Sequence, residues 1–213
     1  LDEERFESIA SAVEDVAALD DPLGEIVRDI TLDNGLHLQQ RRVPFGVVCV
    51  VYEARPNVTA DAAAIAIKTG NGIVLRGSRQ AEATNEAIVA RLEEALEAAG
   101  FARDAVWNFP PEDRDRFKDL IGQEGGIDLV IPRGGEALKR FLLQHARVPV
   151  LAAAGGNCHI YVDETADLQM AIDIVINAKT QRPGVCNAAE TLLVHRSREQ
   201  DALPALTAAL EGA

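Results

Sequence analysis

Gly46-Val47-Val48-Cys49-Val50-Val51-Tyr52 is an unbroken apolar run bounded by a proline–phenylalanine turn on one side and a polar loop on the other. A half-exposed strand alternates apolar and polar residues, so a run that is apolar throughout fits a strand covered on both faces, as in a parallel sheet flanked by helices. Downstream the pattern alternates. A helix over Thr59 to Lys68 leads to the strand Gly72-Ile73-Val74-Leu75-Arg76, then to a long helix from about Ala81 to Ala99 and a shorter one near Glu112 to Ile121. The strand Ile127 to Ile131, the helix Gly135 to His145, the short strand Val148 to Leu151 and the strand Cys158 to Val162 follow. Upstream, Leu36 to Val43 alternates like a half-exposed strand. The opening residues LDEERFESIASAVEDVAAL form an acidic amphipathic helix pattern that ends at the turn Asp20-Asp21-Pro22-Leu23-Gly24. Strand and helix in turn mean crossover units, so the expected fold is α/β: a Rossmann-like, mainly parallel sheet with helices on both faces.

With 213 residues, 47% of them hydrophobic, the chain can bury one full core and part of a second. Its formal net charge of -13 repels polyanions, which argues against nucleic acid or an anionic membrane as partner. No stretch approaches the roughly 20 apolar residues of a membrane span, and the first residues read as neither signal peptide nor anchor. The cysteines, Cys49, Cys158 and Cys186, are too few and too scattered for a disulfide framework or a zinc site. A reducing cytoplasm suits them, and no metal is expected.

After Gly155-Gly156, a helix from about Leu168 to Lys179 leads into Gln181-Arg182-Pro183-Gly184-Val185-Cys186, whose proline and glycine forbid regular structure. The expected organisation is an N-terminal helix and connecting strand over 1–42, a nucleotide-binding domain over 43–162, and the start of a second α/β domain over 163–213. So short a second domain is too small for an independent core, and Leu192, Leu193 and Val194 are expected to stay partly exposed.

Ligands of open parallel sheets bind at the carboxyl ends of the strands. The loops there carry Arg55 with Asn57, Arg76-Gly77-Ser78-Arg79, and Pro132-Arg133-Gly134-Gly135. Glycines allow close backbone approach, and the helices that follow offer unpaired N–H groups to an anion, so these loops suit a dinucleotide phosphate and a polar substrate. Cys186 follows Lys179 and Arg182, the cationic setting in which a cysteine nucleophile is expected. Cys49, inside its valine run, reads as an inert core residue. Cys158 and His159 are neighbours on a strand and point to opposite faces, so they form no dyad. His37, His145 and His195 read as surface residues without an acidic partner.

Several motifs are more specific than composition: Val43-Pro44-Phe45-Gly46-Val47 leading to Tyr52-Glu53-Ala54-Arg55-Pro56-Asn57-Val58-Thr59, Gly70-Asn71-Gly72-Ile73-Val74-Leu75-Arg76-Gly77, Ile131-Pro132-Arg133-Gly134-Gly135, Gly156-Asn157-Cys158-His159-Ile160-Tyr161-Val162-Asp163, and Asn177-Ala178-Lys179-Thr180-Gln181-Arg182-Pro183-Gly184-Val185-Cys186-Asn187-Ala188-Ala189-Glu190-Thr191-Leu192-Leu193-Val194. On these the chain resembles the gamma-glutamyl phosphate reductase (glutamate-5-semialdehyde dehydrogenase) family of aldehyde-dehydrogenase-like enzymes, and covers about the middle half of that family's usual length. The resemblance implies that Cys186 is the nucleophile and that Asn57 stabilises an oxyanion. It places Arg76, Gly77, Ser78 and Arg79 at the adenosine ribose, and Pro132, Arg133, Gly134 and Gly135 near the pyrophosphate and nicotinamide of NADP(H). It makes Arg55, Lys179, Arg182 and Asn187 the candidate substrate contacts. The chain departs from the family pattern at Ala54 and Gly184, where serine is usual.

The resemblance further implies the reaction: NADPH-dependent reduction of L-glutamate 5-phosphate to the semialdehyde, with release of phosphate through a Cys186 thioester, in cytoplasmic L-proline biosynthesis. It allows a homo-oligomer and functional coupling to glutamate 5-kinase. Hydrolytic aldehyde dehydrogenases activate water with a glutamate, and Ala153 stands at the matching position here, which disfavours an acid-forming reaction. Two other readings remain open at this point: a catalytically incomplete nucleotide-binding fragment, and another acyl-reducing relative that uses a coenzyme A thioester.

Overall fold

A computed structural model describes residues 3–153 and 156–213. The chain divides into two compact units, Leu1–Ala153 and Ala154–Ala213.

The first unit opens with helix α1 (Glu3–Ala18), strands β1 (Ile26–Thr31) and β2 (His37–Arg41), and strand β3 (Val47–Tyr52). It continues with α2 (Pro56–Lys68), β4 (Gly72–Arg76), α3 (Glu82–Ala98), β5 (Val106–Asn108), α4 (Arg114–Ile121), β6 (Leu129–Arg133) and α5 (Glu136–His145). Strands β3 to β6 form a parallel sheet in the order β5-β4-β3-β6. The valine run is its central strand. Val48, Val50 and Tyr52 pack with Val58, Ala63, Val89 and Leu96 of α2 and α3. The alternate residues Cys49 and Val51 pack on the opposite side with Phe117 and Ile121 of α4 and Leu142 of α5. The layers on both faces are those expected of a continuous apolar strand.

Local chemistry sets the helix starts. Pro56 opens α2, where its missing N–H costs no hydrogen bond. Asp113 caps α4 by accepting from Arg116 N–H at 3.2 Å. Helix α1 lies against α2, and Lys68 Nζ donates to the Ala17 carbonyl at 2.9 Å. The short strand expected at Val148 to Leu151 is reduced to one bridge between Val150 and Val130. The half-exposed strand expected at Leu36 to Val43 is β2, exposed along its whole length and paired antiparallel with β1, which sequence periodicity did not reveal. His37, expected without an acidic partner, is bonded to Asp29 across this ribbon.

The second unit comprises β7 (Cys158–Val162), α6 (Leu168–Thr180), β8 (Ala189–Val194) and α7 (Ala202–Glu211). The strand at 158–162, grouped with the first domain by sequence, pairs in parallel with β8 and belongs here. Asp167 caps α6 by accepting from Met170 N–H at 2.8 Å. Val162, Ala171, Val175, Ala202 and Leu206 make a small core with Leu192 and Val194 at its edge, while Leu193, on the other face of the strand, is 47% exposed. Of the Gly155-Gly156 pair that precedes β7, Gly155 lies outside the described residues.

Candidate functional site

The order β5-β4-β3-β6 places a switch point between β3 and β6. From β3 the chain steps outward to β4 and β5 on one side, then returns to β6 on the other. At such a point the loops leaving the strands diverge and open a crevice at their carboxyl ends. Tyr52 and Arg133, the last residues of β3 and β6, are in register at its rim.

A cavity of about 500 Å³ lies at the carboxyl ends of β3 and β4, lined by Glu53, Ala54 and Arg55 after β3 and by Ser78, Arg79 and Gln80 after β4. Arg55, Ser78 and Arg79, expected from sequence at separate loops, therefore meet in one place. Arg55 and Arg79 are exposed cations suited to phosphate. Ser78 Oγ and Arg76 Nε are buried without a hydrogen-bond partner among the described residues. Arg76 itself is turned toward the α4 side: its Nη2 donates to the Pro111 carbonyl at 2.8 Å and its guanidinium stacks on Phe117 at 4.6 Å. Burial, then the charge of Arg114, pull the Arg76 guanidinium below its usual range. Part of its hydrogen-bonding capacity is thus already used by the fold.

Gly77 is held by a network that sequence reading missed. Tyr52 Oη and Thr59 Oγ1 are hydrogen-bonded at 2.8 Å, and Thr59 Oγ1 donates to Asn85 Oδ1 at 2.9 Å. A Cβ at Gly77 would overlap Asn85 Nδ2 and lie 3.2 Å from the Tyr52 ring. The loop after β4 therefore follows the wall made by two buried side chains. Thr59 and Asn85 look like ordinary helix residues in sequence, and only their burial reveals the network.

On the β6 side, Pro132 is buried within the strand in register with Val51, whereas Arg133 and Gly135 are exposed. Gly134 and Gly135 form the turn into α5, and Gly135 N–H donates to Glu53 Oε1 at 2.9 Å. Nothing in the sequence around Glu53 marks this contact, which joins residues 82 positions apart. Asn57 and Arg133 border a larger, mainly apolar trough of about 850 Å³ along the α2 face of the sheet. Asn57 Nδ2 donates to Asp61 Oδ2 at 3.1 Å, one turn along the same helix. Cys49 is fully buried, and burial, opposed by Arg76, pushes its thiol up to about 12, so it is no nucleophile.

In the second unit, Arg182, Cys186 and Asn187 are exposed on the loop between α6 and β8. The loop is shaped by backbone bonds from Val185 N–H to Arg182 O (3.3 Å) and from Ala188 N–H to Val185 O (3.1 Å). Lys179 is tied to the start of β8 through its Nζ and the Ala189 carbonyl at 3.0 Å. Cys158 Sγ donates weakly to the Cys186 carbonyl at 3.7 Å, and a Cβ on Gly156 would lie 2.6 Å from that oxygen. His159 turns away and hydrogen-bonds the Asn157 carbonyl. Among the described residues, no three His, Cys, Asp or Glu side chains converge on a metal position, and no helix is long and apolar enough to cross a membrane.

The first unit thus gathers cationic loops at the carboxyl ends of β3 and β4, and the second unit carries an exposed cysteine on a Pro-Gly loop. Residues 4–213 match the aldehyde dehydrogenase family, and the chain belongs to it. Within that family it is 51% identical over 213 residues to a gamma-glutamyl phosphate reductase of Kineococcus radiotolerans, covering 100% of this chain and 49% of that protein. It is 47% identical to the protein of the same name from Desulforapulum autotrophicum, covering 51% of its length. The crystal structure of a gamma-glutamyl phosphate reductase from Thermotoga maritima superposes with a TM-score of 0.92 at 42% identity, over 100% of this chain and 51% of that one. An acetylating aldehyde dehydrogenase from Geobacillus thermoglucosidasius shares the fold, with a TM-score of 0.68 at 21% identity over 96% of this chain and 43% of that one. The chain spans about half the length of the curated relatives it matches.

Proposed function

We propose that this chain carries the cofactor crevice and the nucleophile loop of a reductase that converts L-glutamate 5-phosphate to L-glutamate 5-semialdehyde with NADPH and releases phosphate, a step of cytoplasmic L-proline biosynthesis. The observation that carries the reading is the 47–51% identity to gamma-glutamyl phosphate reductases along the whole chain, the Cys186 loop included.

The residues at the crevice fit an anionic dinucleotide. Ser78 Oγ is a buried hydroxyl without a partner among the described residues, Arg55 and Arg79 supply positive charge, and the Gly135 N–H at the turn into α5, which the Glu53 carboxylate accepts in the free protein, would be open to an anion once that carboxylate moves. Arg76, Gly77, Ser78 and Arg79 would hold the adenosine ribose and its 2′-phosphate, with Arg133, Gly134 and Gly135 nearer the pyrophosphate. The bound cofactor supplies a hydride.

In the proposed reaction the Cys186 thiolate attacks the acyl carbon, the bond to the phosphate oxygen breaks, and phosphate leaves with its electron pair. The resulting thioester carbonyl would be the acceptor of the hydride that a bound cofactor would supply. The tetrahedral oxyanion, stabilised by the Asn57 amide, collapses with cleavage of the C–S bond, which frees the aldehyde and restores the thiolate. Arg55, Lys179, Arg182 and Asn187 are the candidate substrate contacts, of which Arg182 and Asn187 are exposed and Lys179 is anchored to the Ala189 carbonyl. The resemblance puts Ala153 where hydrolytic aldehyde dehydrogenases carry the water-activating glutamate, which supports reduction over hydrolysis of the proposed thioester.

A second reading, a nucleotide-binding unit that does not turn over alone, is favoured by the chain's coverage of about half of each curated relative. The two are separated by supplying semialdehyde, phosphate and NADP to this chain and to one of the relatives' length. NADPH formation by the longer chain alone supports the second reading for this segment. Formation by neither refutes the reductase assignment. Homo-oligomerisation and coupling to glutamate 5-kinase remain part of the proposal and are tested by sedimentation with and without the kinase.

A further inference from the structure

The Glu53 carboxylate sits where the proposed cofactor's negative charge would be welcomed. Glu53 N–H donates to the Arg133 carbonyl at 3.3 Å, which extends the β3–β6 ladder one step beyond the strands. Arg55 N–H donates to the Glu53 carbonyl at 2.7 Å and turns the chain there. Fixed in this way, the side chain reaches across the switch point and accepts the Gly135 N–H at 2.9 Å. Gly135 is the N-cap of the ten-residue helix α5, so its amide points along the positive end of the helix dipole. Gly134 makes room for the reach: a Cβ there would lie 2.9 Å from Glu53 Oε1 and 2.9 Å from Leu138 Cδ2. The same carboxylate borders the cavity shared by Arg55, Ser78 and Arg79.

We infer that Glu53 is an affinity-determining residue that stands in for the dinucleotide's anionic group: its carboxylate occupies the Gly135 amide in the free protein and must leave before a pyrophosphate can take that amide. The inference rests on the dinucleotide reading of this crevice. Two anions cannot share one N–H donor without mutual repulsion, so the carboxylate weakens anionic ligands and speeds their release. It also neutralises a helix terminus that would otherwise gather stray phosphate. Rossmann-type sites offer a different role for an acidic residue, accepting hydrogen bonds from a ribose hydroxyl. That role predicts the opposite sign on substitution.

The test is titration of NADPH, followed by nicotinamide fluorescence, into the 213-residue chain and its Glu53→Gln and Glu53→Ala variants. Adenosine serves as an uncharged control, and urea midpoints check the fold. Glu53→Gln is isosteric and keeps an acceptor for Gly135 N–H, so it removes charge with little change in packing. NADPH should bind Glu53→Gln about five- to tenfold more tightly than wild type at low salt, the scale of one like-charge contact, and the gain should shrink as salt screens it. Adenosine affinity should not change. A residue that merely braces the loop would give no salt-dependent gain. Equal or weaker NADPH binding by a variant with a wild-type urea midpoint overturns the inference, and weaker binding assigns Glu53 to the ribose instead. Should Glu53→Gln unfold early, Glu53→Ala must show the same gain or the inference falls. If neither wild type nor variants bind NADPH, the dinucleotide reading itself fails and takes this inference with it.

Discussion

Thr59→Val isolates the buried network that shapes the loop after β4. Valine has nearly the shape of threonine, so the substitution removes a hydroxyl and leaves packing almost intact. Thr59 is fully buried, and its Oγ1 makes bonds of 2.8 Å to Tyr52 Oη and 2.9 Å to Asn85 Oδ1. Each lost bond costs about 1 kcal/mol, and a buried acceptor left unsatisfied costs about 1–3 kcal/mol. Asn85 is 2% exposed and Tyr52 3%, so water cannot easily replace the hydroxyl. A loss of about 2–4 kcal/mol follows. At a urea slope of about 2 kcal/mol/M, the midpoint should fall by about 1–2 M. The single tryptophan, Trp107 on β5, reports unfolding of this unit by fluorescence. Thr59→Val combined with Asn85→Leu should cost less than the sum of the single changes, because the orphaned acceptor is gone. A midpoint shift below about 0.3 M for Thr59→Val, on the same slope scale, would refute the claim that these bonds hold the loop.

Other outcomes follow from single contacts. Cys186→Ser, placed in a chain of the relatives' length, should abolish turnover while cofactor affinity stays within about twofold, since a hydroxyl is a far weaker nucleophile than a thiol. Arg79→Ala should narrow the preference for NADP over NAD by about tenfold if its guanidinium meets the 2′-phosphate, measured as the ratio of the two dissociation constants. Arg76→Ala should in addition lower the urea midpoint, because it also removes the bond to Pro111 and the stacking on Phe117. The Cys49 thiol, raised from 9.0 to about 12 by burial, stays protonated in the fold when the unfolded thiol would ionise. Its contribution to stability is therefore full below pH 9 and is lost as pH rises from there toward 12. A thiol reagent near neutral pH should label Cys186 and Cys158 in the native chain, and Cys49 only in denaturant.

The parallel sheet was legible because the run from Val47 to Tyr52 is apolar at every position and the strand at Gly72 to Arg76 nearly so, as a sheet covered on both faces demands. Strand β5 was missed because it has only 3 residues, Val106–Asn108, and Trp107 and Asn108 in it do not form an apolar pattern. The β1–β2 ribbon is mostly solvent-exposed, so no hydrophobic period marks β1. The second unit includes β7, ahead of residue 163. Cys158 to Val162 reads as one more strand in the alternation, and only its pairing with β8 assigns it. In the site, sequence motifs named Arg55, Ser78 and Arg79, which do line one cavity. They did not single out Glu53, Thr59 or Asn85. Those roles arise from side chains meeting across long stretches of sequence, which periodicity cannot show.

The central claim is that Cys186 forms an acyl thioester that is reduced or, in reverse, released by phosphate. The direct measurement is NADPH formation from L-glutamate 5-semialdehyde and NADP in a chain of the relatives' length, with and without inorganic phosphate, for wild type and Cys186→Ser. The account predicts NADPH formation that requires phosphate and is absent in the variant. Formation of NADPH with glutamate as product in the absence of phosphate, or undiminished turnover by Cys186→Ser, would contradict it.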